Sequence, residues 1–293
     1  MYPASFDYAD PVTVDEAVAL LRAHADDDVK VLAGGQSLIP LMKLRLARPS
    51  HLVDINRIEA LADLRADGGG LRIGALVREW ELEADLAVGR SFPILRDASR
   101  VIADPVVRNR ATVGGNLAHG DPANDHPAVM VALDATIVAT GPGGERAIAA
   151  ADFFTDLFET ALEPAELLTE IRVPALAPGT GTAYVKFERQ AGDYAVVAVA
   201  ARLTLDPAGQ VTGARLVYTN VGQRPQRAEP AERELLGRTL SPASARAAGM
   251  AAAGWLAFAD DQRGPAAYKA RVAVAVTERA LRLAGDRAAG AAI

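Results

Sequence analysis

The chain has 293 residues, no cysteine, a half-apolar composition and a formal net charge of −6. That length predicts two or three units with cores of their own, and the acidic balance, without a block of basic residues, argues against a nucleic-acid partner, which needs clustered Lys and Arg. The missing cysteines exclude disulfides, thiolate nucleophiles and a thiolate-held iron–sulfur cluster in this chain.

The opening MYPASFDYADP has neither a basic start nor an apolar core, so it predicts no secretory signal, and a cytoplasmic protein is the default. The most apolar later run, Met250 to Phe258, is too short to span a bilayer. Thr13 with Glu16 three residues on predicts a capping box, and Val14, Ala17, Val18 and Leu21 then share one helical face. Val29 to Ala33 reads as a buried strand delivering Gly34-Gly35. After a basic amphipathic segment, Leu41 to Arg48, the run His51 to Ile55 reads as another strand, and this small α/β unit ends near Asn56.

A second unit opens on a hairpin-like stretch, Leu61 to Gly74, around Asp67-Gly68-Gly69-Gly70. Helices follow around Trp80 to Val88 and Ile94 to Ile102. Beyond a glycine-rich loop come a short helix, Ala128 to Leu133, and a strand, Thr136 to Thr140, and the unit closes at Ile171-Arg172-Val173-Pro174. Leu176 to Gly181 is the linker candidate. Ala195 to Leu205 and Val211 to Val221 then read as an antiparallel hairpin around Asp206-Pro207-Ala208-Gly209. Two helices cover it. One starts at Ser241-Pro242; the other runs from Pro265 to Leu283, with Tyr268, Val272, Val276, Arg279 and Leu283 near one face, and stops before Gly285. There are no repeats and no low-complexity arm apart from the Ala-rich tail.

Two stretches carry chemistry. Thr112 to Asp134, TVGGNLAHGDPANDHPAVMVALD, reads as a loop in which Gly114 and Gly115 let the main chain approach a ligand. Exposed backbone N–H donors, with Thr112 and Asn116 beside them, would make a nest for a pyrophosphate, although glycine pairs followed by Asn also mark ordinary turns. Ala33 to Leu38, AGGQSL, repeats the combination, and two such loops could grip one ligand. Established phosphate motifs fit poorly. Gly115 and Gly120 have P-loop spacing, but Asp121-Pro122 stands where Lys-Ser/Thr should follow, and Gly34-Gly35-Gln36-Ser37 does not continue as the Rossmann fingerprint. His119, Asp121, Asp125 and His126 suggest a metallohydrolase alternative, yet their spacing matches no established zinc or di-metal signature.

Four segments, AGGQSLIPLM at 33–42, TVGGNLAHGDPANDHPA at 112–128, DFF…LFETALEPAELLTEIRVP at 152–174 and KFERQAGDYA at 186–195, resemble the FAD-binding medium subunit of molybdenum hydroxylases, the xanthine dehydrogenase family. Within it they most resemble the aerobic carbon monoxide dehydrogenase type, with departures at Gln36, Val113, Asn124 and Ala191. The resemblance implies an α+β chain: a two-subdomain FAD-binding fold of the vanillyl-alcohol-oxidase (PCMH) type, at 1–57 and 58–176, then a C-terminal α+β domain at 177–293 with an antiparallel sheet and covering helices. It implies FAD as cofactor, with Lys30, Val31, Leu32, Ala33, Gly34, Gly35, Gln36, Ser37 and Leu38, together with Thr112, Gly114, Gly115 and Asn116, along the phosphate and ribityl path.

Like charges at contact repel by roughly 1–4 kcal/mol, so Asp125 is expected to meet sugar or ribityl hydroxyls and not the pyrophosphate. His119 is a further cofactor candidate or a satisfied loop residue. Lys186 and Tyr194 read on their own as a solvated strand charge and a packed aromatic; the resemblance instead puts them, with Leu167 and Leu168, beside the isoalloxazine, and Ile102 near it from another unit. It implies no catalytic residue or metal in this chain. The implied partners are a large molybdenum-cofactor subunit and a small [2Fe–2S] subunit in a dimer of heterotrimers, with an external electron acceptor. A free-standing, non-redox nucleotide-binding module is the alternative of another class.

Overall fold

The computed structural model describes residues 2–290, so the end of the Ala-rich tail, 291–293, lies outside the described residues. The first unit holds β1 (Asp7–Ala9), α1 (Val14–Ala23), β2 (Val29–Leu32), α2 (Leu38–Lys43) and β3 (His51–Asp54), its three strands parallel in the order β1-β3-β2. Thr13 caps α1 by accepting from the Glu16 amide at 3.2 Å, while the Glu16 carboxylate accepts from Val12 at 2.8 Å, one residue earlier than a standard capping box requires. Ala17, Val18 and Leu21 are buried, as the helical spacing predicts. β2 departs from expectation: it is an edge strand, half-buried, with Lys30 exposed. The basic amphipathic segment does not stay helical either, since α2 stops at Lys43 and Arg45 takes a φ of 60°.

The second unit is β4 (Leu64–Asp67), β5 (Gly70–Gly74), α3 (Glu79–Ala84), α4 (Leu86–Ser91), α5 (Pro93–Val101), α6 (Pro105–Arg108), α7 (Val113–Ala118), α8 (His126–Ala132), β6 (Thr136–Gly141), β7 (Gly144–Ala149), α9 (Ala150–Phe153), β8 (Phe154–Asp156), β9 (Glu159–Thr160) and β10 (Leu167–Val173). Its antiparallel sheet runs β4-β5-β10-β6-β7. The helix expected over Trp80 to Val88 is two. Asp85 leaves the helical conformation, ends α3 and caps α4 by accepting from the Ala87 and Val88 amides, both at 2.8 Å.

The third unit is β11 (Thr180–Phe187), β12 (Val197–Leu205), β13 (Val211–Thr219), β14 (Gln226–Arg227), α10 (Glu229–Arg233), α11 (Pro242–Trp255) and α12 (Ala266–Ala288), with the sheet in simple order β11-β12-β13-β14. α12 runs past Gly285 to Ala288, and its buried stripe follows Val272, Ala273, Val276, Thr277, Ala280, Leu281 and Ala284. Arg279 is exposed, so the predicted face is rotated. Gly285 does not end the helix but makes room: a Cβ there would stand 2.3 Å from Leu240 Cδ2.

The sheet is covered on both sides. Val197, Val199, Ala201 and Leu203 join the core beneath α11 and α12, while Tyr184, Ala198, Ala200 and Val217 join the core of the second unit. Leu76 and Leu167 likewise tie the second unit to Val53 and Ile55 of the first. The three units therefore meet along seams packed like interiors.

Candidate cofactor site

At the end of β2 the chain turns through Ala33 to Ser37 into α2. Gly34 lies against the main chain of residues 110–111, where a Cβ would stand 2.4 Å from the Arg110 carbonyl oxygen, and Gly35 takes a φ of 73°, open to glycine at no steric cost. Asn56 Nδ2 donates to the Ala33 carbonyl at 2.8 Å. Arg78 then ties the two loops together, donating to Asn56 Oδ1 at 2.6 Å and to the Arg110 carbonyl at 2.5 Å. Among the described residues, the amides of Gly34, Gly35, Gln36 and Ser37 donate to no backbone carbonyl. Successive free N–H groups of this kind form an anion-binding concavity.

The second stretch is not the loop its glycines suggest. Thr112 caps α7, and the amides expected to be exposed are used inside the chain: Val113 donates to Val77 O at 3.0 Å, Gly114 to Ala75 O at 3.1 Å, Gly115 to Thr112 Oγ1 at 3.1 Å and Asn116 to Thr112 O at 2.9 Å. Gly114 and Gly115 thus sit in a helical turn and provide no backbone nest. What this turn presents is side chains, among them Asn116, whose Oδ1 is buried without a partner. A Cβ on Gly115 would stand 3.7 Å from that of Ala33, so both predicted glycine stretches face one place.

From there Asn124 Nδ2 donates to the Asn116 carbonyl at 2.7 Å, which sets Asp125 at the seam with the third unit. Tyr184 Oη donates to Asp125 Oδ1 at 2.6 Å, and Lys186 Nζ donates to Asp125 Oδ2 at 3.1 Å and to the Val101 carbonyl at 2.8 Å. Glu188 Oε2 lies 3.4 Å from the same ammonium, a charge contact without hydrogen-bond alignment. The Lys186 side chain is 2 % exposed, which overturns the reading of a solvated strand charge. Burial pushes the Asp125 carboxyl up and the Lys186 charge opposes it, while burial and Asp125 hold the Tyr184 hydroxyl protonated as a donor. Both Asp125 oxygens are thus already engaged within the chain.

The remaining predicted residues fall along the same line or beside it. The Ile102 and Ala103 carbonyls accept from Arg108 at 3.1 and 3.3 Å, and a Cβ on Gly192 would stand 2.7 Å from the Ala103 oxygen, so the tip of the KFERQAGDYA segment lies on Ala103, next to Ile102. Tyr194 is 40 % exposed, with the Arg263 guanidinium 5.2 Å from its ring centre, and is not a packed aromatic. Leu167 and Leu168 spend their side chains in two different cores; pairing of β10 with β5 begins only at Glu170, leaving their main chain as what they can present. Lys30 points to solvent, 3.3 Å from Asp28.

The metal alternative does not assemble. His126 is fully buried on Glu79 at 2.7 Å, His119 packs 5.3 Å from the Phe158 ring centre, and Asp121 accepts from the Ala123 amide. Sequence reasoning missed Asn56, Arg78, Asn124, Tyr184 and Glu188. The last two were recoverable, because Tyr184, Lys186 and Glu188 alternate at the period of a strand.

A ridge of glycine turn, side-chain amides and buried lysine along three units suits a long ligand with an anionic middle. A family model described as the FAD binding domain in molybdopterin dehydrogenase matches residues 4–176, and one described as the CO dehydrogenase flavoprotein C-terminal domain matches residues 182–284. The chain belongs to this family of FAD-binding oxidoreductase flavoproteins. It is 44% identical to the carbon monoxide dehydrogenase medium chain of Hydrogenophaga pseudoflava, over 99% of this chain and 100% of that one. It is 41% identical to the 6-hydroxypseudooxynicotine dehydrogenase complex subunit alpha of Paenarthrobacter nicotinovorans, over 98% of this chain and 97% of the other. The solved carbon monoxide dehydrogenase from Hydrogenophaga pseudoflava superposes with a TM-score of 0.94, covering 98% of this chain and 99% of its own at 45% identity. The α+β class and the FAD cofactor expected from the sequence hold. No helix among the described residues is long and apolar enough to cross a membrane.

Proposed function

We propose that this chain is the electron-transfer flavoprotein of a carbon monoxide dehydrogenase-like molybdenum hydroxylase. The observation that carries the proposal is likeness over the full length of both chains to a carbon monoxide dehydrogenase medium chain. In this reading a large subunit oxidises substrate at molybdenum, a small subunit with [2Fe–2S] clusters relays the electrons, and FAD in this chain hands them to an external acceptor. The assembly is a dimer of heterotrimers in the cytoplasm, held peripherally at the inner face of the membrane. The chain divides at 1–57, 58–176 and 177–293. Bound FAD would supply the redox chemistry between the iron–sulfur carriers and that acceptor.

The chain's own residues position the cofactor. The four free amides from Gly34 to Ser37 fit the diphosphate, and the unpartnered Asn116 Oδ1 fits a hydroxyl donor of the polyol. Thr112 and His119 flank that path. Ile102 and Tyr194 border the ring, with the main chain of Leu167 and Leu168, while Lys186 places a positive charge there that Asp125 holds in position. A heterocycle-hydroxylating complex is a second reading, supported by the nearly equal likeness to the 6-hydroxypseudooxynicotine dehydrogenase subunit; an aldehyde or purine would call for the same chain.

Purification of the chain, then of a Gly34→Val variant, tests the site. The native protein should carry one reducible FAD, without an iron–sulfur signal and without substrate turnover of its own. The variant should be folded by circular dichroism and lose at least nine-tenths of its flavin, because a side chain at 34 must displace the Arg110 carbonyl. Full flavin in a folded variant would sink the site, and substrate oxidation by the isolated chain would sink the division of labour.

A further inference from the structure

We propose that His24, Asp27 and His51 form a binding site for one divalent transition-metal ion of the zinc or copper class, on the outer side of the first unit and apart from the cofactor ridge. His24 is the C-terminal cap of α1, Asp27 lies in the turn that follows, and His51 opens β3. Folding brings the three together from two separate places in the sequence. His24 Nδ1 is 3.1 Å and His51 Nδ1 is 3.9 Å from the same oxygen, Asp27 Oδ2, and the three ligand atoms all lie within 4.8 Å of one another.

Those separations suit a small ion. With bonds of about 2.0–2.2 Å to imidazole nitrogen and carboxylate oxygen, tetrahedral ligands stand about 3.4 Å apart, so only small side-chain movements close the set. Two imidazoles and one carboxylate make a borderline-soft donor set, which selects Zn²⁺ or Cu²⁺ over Mg²⁺ or Ca²⁺. The rings are stacked, with centroids 3.7 Å apart and planes at 24°, so their in-plane lone pairs run nearly parallel and a rotation about the soft χ2 torsions is what turns both onto one ion.

The surroundings supply what such a ligand set requires. Asp7 Oδ2 lies 3.6 Å from His51 Nε2, the far nitrogen, just beyond hydrogen-bond distance, and a shift of this exposed side chain by a few tenths of an ångström would let it accept from Nε2–H and leave Nδ1 free to coordinate. Ser50 Oγ now sits 3.0 Å from His51 Nδ1 and also reaches the Asp28 carbonyl at 3.3 Å, so its hydroxyl keeps a partner when the metal takes the nitrogen. The negative end of the α1 dipole and the neighbouring Asp28 favour a cation here. A cavity of about 270 Å³ lined by Asp7, Tyr8, Leu20, His24 and His51 lies beside the two rings, on the side away from Asp27. The ion would pin the turn between α1 and β2 to the head of β3.

Co²⁺ titration of the full-length, tag-free, FAD-loaded chain tests this, with visible absorption as readout and Zn²⁺ and Cu²⁺ as competitors. The expected result is one saturable Co²⁺ with the intense bands of a low-coordinate nitrogen and oxygen site, displaced by either competitor, and more tightly by Cu²⁺. His51→Ala and, as variants that keep shape and polarity, His24→Asn and Asp27→Asn should each weaken binding at least tenfold with flavin content unchanged. Absence of saturable uptake, or equal uptake by the native chain and the folded Asn variants, would overturn the site. Neither outcome depends on the flavin assignment.

Discussion

At the scale of single residues, Lys186 is the group whose surroundings matter most. Lys186→Met leaves the Asp125 carboxylate buried without its cation and should cost about 3–5 kcal/mol of stability, read as a lower midpoint of chemical denaturation. Its effect on the flavin depends on pH. Burial already pushes Asp125 up, and removing the lysine takes away the charge that opposes this, so wherever the carboxyl takes a proton the lost positive charge is offset by a lost negative one. Spectroelectrochemical titration over a pH series should find the smallest change in the two-electron potential at the acid end. At the alkaline end, with the flavin ring beside the lysine as proposed, the variant's potential should be lower by roughly 40 mV, since a unit charge about 10 Å away at an effective dielectric of about 20 is worth about 2 kcal/mol. A full shift at both ends would remove Asp125 from the account. His119 gives a second prediction. Burial lowers its pKa below the ordinary 6.5, with Asp121 opposing, so the unfolded chain binds the proton more readily than the folded one. The stability this contributes is present above pH 6.5 and lost as the pH falls. Melting temperatures between pH 5.5 and 8 should therefore drop more steeply on the acid side for the native chain than for His119→Gln, and parallel curves would contradict it.

At the scale of elements, the main chains of β11 and α12 meet closely at Gly181, where a Cβ would stand 2.0 Å from the Ala284 carbonyl and 2.4 Å from the Ala288 amide. Gly181→Val should push the helix off the sheet and destabilise the fold by about 1–3 kcal/mol or more, measured by urea denaturation. A native-like midpoint would show that the helix end moves freely. Gly181 was legible in the sequence only as part of a linker, because local pattern does not record which backbone a distant helix brings near. The strands β2 to β6, β12 and β13 and most helices were legible, since period-two and period-3.6 runs and capping residues such as Thr13 and Ser241 act locally. The stretch from Thr112 was misread for the same reason. Its glycine pair signals a turn, yet Val113 and Leu117 are buried four residues apart, and Val77 and Ala75, far back in the chain, accept the first amides of α7. The site followed that pattern: the positions of the glycine turns were readable, and their tertiary partners Asn56 and Arg78 were not.

At the scale of the whole molecule, the third unit cannot be treated as a separate lobe. Its sheet contributes Tyr184, Ala198, Ala200 and Val217 to the core of the second unit, and Arg287, near the end of the last helix, donates to Asp97 on α5 at 2.6 and 3.0 Å. Asp97 also accepts from the Tyr184 amide, so one carboxylate fastens both β11 and α12 to the second unit. A boundary near residue 177 is therefore visible as a change in sequence pattern but not as a break in packing, because contacts across it bury apolar surface as a core does. Calorimetry of the intact chain should give one cooperative transition with calorimetric and van't Hoff enthalpies in agreement. A fragment of residues 177–293 should bind a hydrophobic dye and self-associate, as its uncovered sheet face is apolar. Arg287→Met should lower the melting temperature of the intact chain by several degrees, through a loss of about 1–3 kcal/mol, without splitting the transition. Two resolved transitions in the native chain, or a monomeric and cooperatively folding fragment, would show that the units fold independently and that the seam between them is a docking surface between finished domains.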